Sequence, residues 1–194
     1  MGRAWTSPIG NFYGSTIVRP ILSDPAPSSL AFVAAIAVHD TLARLAADVH
    51  TFIKWPNDIL VGDAKLSGIL LERSGDGAVV VGIGVNLAFH PQDVPRPVTS
   101  LATQGAEVSV PVFQQKLADR FAAWLGIWRA DGLAAICTEW LARAHPIGTP
   151  LSVSEADGQV TPGLFGGLAA DGALQLRLAD GQVRAIHAGD VFLV

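Results

Sequence analysis

Lysine is scarce in this chain: Lys54, Lys65 and Lys116 are the only three. Two of them bracket Trp55-Pro56-Asn57-Asp58-Ile59-Leu60. A lysine is a compact point charge with three donors, as available to a ligand as to solvent. Two lysines around a turn also describe a solvated hairpin edge, and spacing alone leaves both readings open. The segment Val79 to Leu87 adds a second feature. Under period-2 alternation Val79, Val81, Ile83, Val85 and Leu87 point to one face, and Val80, Gly82, Gly84 and Asn86 to the other. Two glycines on one face weaken a strand and expose a flat strip of backbone, as a bulge, a packed helix or a closely approaching ligand would require. Asn86 ends that strip with a donor and an acceptor, and Gly68 on the preceding strand widens the same floor. Ahead of these, Gly2-Arg3-Ala4-Trp5 brings a cation and an indole before a Ser-Pro-x-Gly turn.

Several other chemistries are excluded. His39, His50, His90, His145 and His187 are scattered, with no second His or Cys at metal-ligand spacing. There is no Gly-x-Ser-x-Gly elbow and no Walker A loop. Gly82-Ile83-Gly84 begins like a dinucleotide fingerprint, but Leu87 stands where the third glycine belongs and the segment continues as a strand.

The elements that must position these residues follow from periodicity and turn signals. Phe12 to Val18 reads as a strand closed by Pro20. Ser28-Ser29 precede a helix to about Ala47, rich in small residues suited to packing on a sheet. Thr51 to Lys54, Ile59 to Val61, Lys65 to Arg73 and Ala78 to Leu87 are strands, the last two joined around Ser74-Gly75-Asp76-Gly77. Pro91 to Pro97 is loop. Two helices follow, about Val112 to Arg129 and Leu133 to Ala144, separated at Asp131-Gly132. Trp124, Trp128 and Trp140 read as helix-packing residues, and Cys137 as a small core residue. After His145-Pro146-Ile147-Gly148, turns at Asp157-Gly158, Asp171-Gly172 and Asp180-Gly181 predict a small all-β barrel. The expected domains are 1–145 and 146–194.

Composition bounds the rest. The chain has 194 residues, half of them apolar and 15% charged, which excludes a disordered protein and allows a sizeable core. Its longest apolar run, Leu30 to Val38, is too short to cross a bilayer, and the N-terminus has no signal-peptide core. One cysteine rules out an intramolecular disulfide and suggests a reducing, cytoplasmic setting. A net charge of −4 argues against a non-specific nucleic-acid binder.

Four segments in order, Gly-Arg-Ala-Trp-Thr-Ser-Pro-Ile-Gly-Asn-Phe-Tyr (2–13), Lys-Trp-Pro-Asn-Asp-Ile-Leu (54–60), Lys-Leu-Ser-Gly-Ile-Leu-Leu-Glu (65–72) and Val-Gly-Ile-Gly-Val-Asn (81–86), closely resemble those of the biotin protein ligases. The resemblance spans nearly the whole chain. It implies an α+β fold, a mixed sheet with helices similar to class II aminoacyl-tRNA synthetases, followed by a small SH3-like β-barrel. It implies a ligase that activates biotin with MgATP to biotinyl-5′-AMP and transfers biotin to a lysine of a biotin carboxyl carrier protein domain of acetyl-CoA carboxylase. In that pattern Lys65 touches the biotin carboxylate and the α-phosphate, with Arg3 as a further catalytic residue. Gly68, Leu70, Gly82 and Gly84 match the biotin pocket. Arg3, Trp5, Asn57, Asp58 and Asn86 match nucleotide-binding positions, and Mg²⁺ is expected through the ATP phosphates rather than a protein cage. The family's loop reads Gly-Arg-Gly-Arg-Arg-Gly-Arg, whereas Met1 here precedes only its last Gly-Arg, and the family's Ser-Thr-Asn segment is not present. A chain complete in this form is expected to have severely reduced ligase activity. A lipoate protein ligase-like enzyme and a non-catalytic remnant that binds biotin or the carrier are the alternatives. A side-by-side homodimer is expected from the family, and no DNA partner, since these residues carry no helix-turn-helix.

Overall fold

The computed structural model describes residues 8–92, 94–155 and 158–194. The first part is a five-stranded sheet in the order β1-β5-β4-β3-β2, built from β1 (Phe12–Val18), β2 (Phe52–Lys54), β3 (Asp58–Val61), β4 (Ala64–Arg73) and β5 (Val79–Val85). Every ladder in it is antiparallel. The mixed sheet expected from the resemblance is therefore corrected: among the described residues, parallel pairing is limited to isolated bridges at Ile53–Ala144 and Lys65–Val98. β2 to β5 follow one another through short turns and pair antiparallel, while β1 and β2, joined through the helix at 30–45, lie at opposite edges of the sheet and do not pair.

Two helices, α1 (Leu30–Leu45) and α2 (Val110–Leu141), pack on each other and bury one face of the sheet. On that face Val79, Val81, Ile83 and Val85 of β5 are buried, as alternation requires. Leu30 through Val38 are all buried, because Ala31, Ala34, Ala35 and Ala37 let α1 approach its neighbours closely on every side. Together with the turn before it, Pro27–Leu45 has the length and mean hydropathy, 1.3, of a bilayer-spanning helix. Its burial against sheet and helix accounts for that composition without a membrane. It ends at Leu45, two residues before the expected limit.

The two helices expected around Asp131-Gly132 run end to end within α2 and are separated at Gly132, whose φ of 79° and ψ of −171° leave the helical region. α2 begins at Val110, with Pro111 in the first turn, where a missing N–H costs nothing. The tryptophans pack as expected and each of two finds an acceptor: Trp128 Nε1 donates to Ser29 Oγ at 2.8 Å and Trp124 Nε1 to Asp40 Oδ2 at 2.9 Å. Cys137 is buried in α2, and burial pushes its thiol pKa up.

The second sheet has the order β10-β6-β7-β8-β9, from β6 (Pro150–Ser154), β7 (Val160–Leu168), β8 (Leu174–Arg177), β9 (Val183–Ile186) and β10 (Asp190–Leu193). Asp171 and Asp180 close its turns by accepting from the backbone N–H two residues on, at 3.0 and 2.9 Å. Asp157 lies outside the described residues. Leu151, Val153, Phe165, Leu174, Leu176 and Val191 continue the core of the first part through Trp140, which meets Phe32 at 5.4 Å and Phe165 at 6.4 Å between ring centroids.

Candidate functional site: a glycine-floored cleft

The sheet face opposite the helices is the floor of an open cleft of about 870 Å³. Its register explains the shape. One cross-strand row runs Tyr13–Gly84–Gly68–Asp58, and the next runs Ser15–Gly82–Leu70. Three glycines in adjacent positions remove every side chain that would stand on the middle of the floor. Leu70 stands beside them, 61% exposed, a large apolar side chain offered to the cleft. The packed helix that could have explained the glycines lies on the other face.

Lys65 rises at one end of this floor. A bulge in β4, between the pairs Ile59–Ser67 and Leu60–Lys65, bends the strand where Lys65 leaves it. The Lys65 backbone is held on its outer side as well: its N–H donates to Pro97 O at 2.9 Å and its carbonyl accepts from Thr99 N–H at 3.0 Å. Its side chain then lies across Gly68 and ends on Asp58 Oδ1. Asp58 is buried, and its other oxygen faces Lys54 Nζ at 3.2 Å. Asn57, in the turn between β2 and β3, donates from Nδ2 to Ile69 O at 2.6 Å, and its own carbonyl accepts from Ile69 N–H at 3.0 Å. This pair of hydrogen bonds to β4 fixes the turn against the strand that carries Lys65.

The second sheet completes the wall. Trp55 Nε1 donates to Gly172 O at 3.1 Å and Lys54 Nζ to Val191 O at 2.8 Å. Gly189 and Asp190 reach the cleft, where Arg96 faces Asp190 at 3.3 Å and lies 4.5 Å from the Phe192 ring centroid.

The structure thus brings Lys65, Gly68, Leu70, Gly82, Gly84, Asn57 and Asp58 to one cleft. Asn86 is placed differently. It follows β5, and its amide is engaged within the protein: Nδ2 donates to Thr99 O at 3.0 Å, and Oδ1 accepts from Asn11 Nδ2 at 3.4 Å. It braces the segment that pins Lys65 and is not among the residues lining the cleft. Arg3 and Trp5 lie outside the described residues. Sequence reading singled out Lys54 without giving it a role and passed over Tyr13, Ser15, Arg96 and Asp190. Alternation along β1 could have found Tyr13 and Ser15; nothing local marks Arg96 and Asp190, which meet where the loop after β5 approaches β10.

Residues 1–89 match the Biotin/lipoate A/B protein ligase family, and residues 153–194 match the Biotin protein ligase C terminal domain. The chain is 40% identical to the biotin–[acetyl-CoA-carboxylase] ligase of Paracoccus denitrificans, over 98% of its own length and 83% of the relative's. The chain belongs to the biotin protein ligase family. It is also 30% identical to the bifunctional ligase/repressor BirA of Escherichia coli, over 99% of this chain but 61% of that protein, so it spans about three-fifths of that longer relative. A biotin protein ligase from Aquifex aeolicus, solved in complex with biotin and ATP, superposes with a TM-score of 0.86 at 21% identity, covering 100% of this chain and 83% of that one. This family member therefore shares its fold with solved ligases, and the cleft is the feature from which its chemistry has to be argued.

Proposed function

We propose that this chain joins biotin to protein in two steps. A biotin carboxylate oxygen attacks the α-phosphorus of ATP, the bond to the β-phosphate breaks, and pyrophosphate leaves. The amine of a lysine on a biotin carboxyl carrier protein domain then attacks the acyl carbon of biotinyl-5′-AMP, loses a proton, and releases AMP. The observation that carries this reading is the Lys65 ammonium beside a floor of Gly68, Gly82 and Gly84. Both steps pass through a crowded anionic centre, and a fixed cation at its edge is worth most where water is excluded.

In this reading Gly68, Gly82 and Gly84 admit the fused ureido and thiophane rings of biotin against backbone, and Leu70 covers their apolar side. Lys65, 41% exposed and therefore open to the cleft, holds the carboxylate and the α-phosphate together, so that attack becomes effectively intramolecular. Asn57 and Asp58 border the nucleotide, Asn86 supports it through the 97–101 segment, and Arg3 and Trp5 close over it. Among the described residues no three His, Cys, Asp or Glu side chains gather, and both Asp58 oxygens face lysines. Mg²⁺ would neutralise phosphate charge and enter on ATP, held mainly by phosphate oxygens, as is usual for that ion. The catalytic unit is 1–145, with a sheet of the class II aminoacyl-tRNA synthetase type, and 146–194 is an SH3-like unit. The outer edge of β1 is a surface for a carrier domain or a second copy to pair with, and the cytoplasm is where such a carrier would be met.

The test is biotin-dependent ATP–pyrophosphate exchange, with Lys65→Ala beside the unaltered chain and lipoate as the competing acid. Exchange with biotin that Lys65→Ala reduces at least a hundredfold is the expected outcome, on the scale of removing one charge-stabilising donor. Exchange that survives in the variant, or that prefers lipoate, overturns the assignment.

A further inference from the structure

Three charged side chains, two lysines and the aspartate between them, meet at the end of the cleft. Lys54 and Asp58 pair across the β2–β3 ladder, and Asp58 pairs in turn with Gly68, over which Lys65 reaches. Asp58 Oδ2 faces Lys54 at 3.2 Å while Oδ1 faces Lys65. The three are not equivalent. The side chains of Lys54 and Asp58 are 12% and 10% exposed, but that of Lys65 is 41% exposed. Lys54 is further held by the Val191 carbonyl of β10 at 2.8 Å. An ammonium bonded to a carboxylate and a carbonyl at once, with little solvent around it, has a fixed position rather than a range of them.

The charge arithmetic of this group bears on the cleft. Asp58 and Lys65 alone would be a neutral pair, and a neutral pair attracts an incoming anion weakly. Lys54 adds the second positive charge, so the triad carries one net positive charge, and the member exposed to the cleft is Lys65. The field between charges a few ångströms apart in a partly buried site is screened far less than in water. On the reading of the cleft as the biotin and ATP site, we propose that Lys54 is a positioning residue for the adenylation step. It balances Asp58 from behind, so that Asp58 can orient Lys65 without cancelling its attraction for the biotin carboxylate. The contact to Val191 makes strand β10 of the second sheet part of that arrangement, because it sets where the Lys54 charge sits.

The test separates charge from mere support. Biotin and biotinamide, which has a neutral amide in place of the carboxylate, are titrated by calorimetry into the unaltered chain, Lys54→Met, Lys54→Gln and Lys54→Arg. Melting temperatures identify variants that fail to fold. Lys54→Gln keeps a donor for Asp58 and Val191, so it carries the test should Lys54→Met fail to fold. Loss of the Lys54 charge is expected to weaken biotin roughly tenfold or more. Biotinamide should change by less than about twofold, and Lys54→Arg should recover most of the loss, since it keeps the charge. Equal weakening of both ligands would mean that Lys54 only supports the fold of the site, and unchanged biotin binding would mean that its charge does not reach the carboxylate; either overturns the inference and leaves the ligase reading standing. An unaltered chain that binds neither ligand overturns that reading and this inference together.

Discussion

Gly68→Ala sets activity against stability in one substitution. A Cβ at this position would lie 3.0 Å from both Cε and Nζ of Lys65 and 3.8 Å from Asp58 Oδ1. Ordinary contact between such atoms is about 3.5–4.0 Å, so the end of the lysine must withdraw by roughly 0.5–1 Å. The lysine stem is flexible and nothing in the core has to move with it. The displaced atom is, however, the one proposed to touch both reacting groups. A misplacement of about 1 Å at such a centre costs on the order of a hundredfold in rate, so a loss of roughly ten- to a hundredfold is expected. Stability should move the other way. Glycine inside a strand is less favourable than alanine by about 0.5–1 kcal/mol. For a chain of this size that gain corresponds to a rise in Tm of roughly 1–4 °C. Pyrophosphate exchange and thermal melting followed by circular dichroism, on the same preparation, read both effects. Exchange within about twofold of the unaltered chain would refute the claim that Gly68 is glycine for the sake of Lys65. A clear fall in Tm would refute it differently, by showing that the fold itself needs the glycine.

Two further outcomes follow from the scaffold. Asp40 is half-buried, which alone would raise its pKa, but the adjacent His39 side chain and hydrogen bonds from Arg143 and Trp124 hold it down at about 2 against an ordinary 3.8. A folded-state pKa below the unfolded one contributes stability above about pH 4 that is lost as the pH falls towards 2. Asp40→Asn should therefore lower stability at neutral pH by about 2 kcal/mol and flatten the dependence between those limits, in urea unfolding followed across pH; an unchanged slope would contradict it. Gly132→Ala meets no atom within 4 Å, so its effect is purely that of the backbone at φ 79°. A cost of about 1–3 kcal/mol is expected from denaturant unfolding, and a cost near zero would mean that the break in α2 relaxes away.

Much of the fold was legible because its signals are local. The buried face of β5 follows from side chains alternating along an extended chain; the glycines at 82 and 84 marked the other face without deciding between a bulge, a packed helix and a ligand. The break at Gly132 and the turns closed by Asp171 and Asp180 are matters of a few dihedral angles and one short side chain. The resemblance of four ordered segments named the chemistry, and the residues of three of them within 57–84 do meet in one cleft. Other expectations were less well placed. Asn86 looked like a reader of a ligand edge, yet its amide is spent on Thr99 and Asn11, partners that alternation along a strand does not reveal. The parallel component of the sheet was inferred from kinship, and strand order is not encoded in any one strand.

The sequence by itself determined which stretches are helix or strand, where the chain turns, and which residues of β5 share a face. Each depends on interactions within a few residues, so periodicity and turn chemistry suffice to read them. Only the tertiary structure decided that Asp58 is shared between Lys54 and Lys65, that Gly68 clears the way for the second of them, and that Val191 and Gly172, more than a hundred residues along the chain, hold the Lys54–Trp55 corner in place. Those contacts come from register between strands and from one sheet docking on another, and a charge acts through space on whatever the fold has brought beside it.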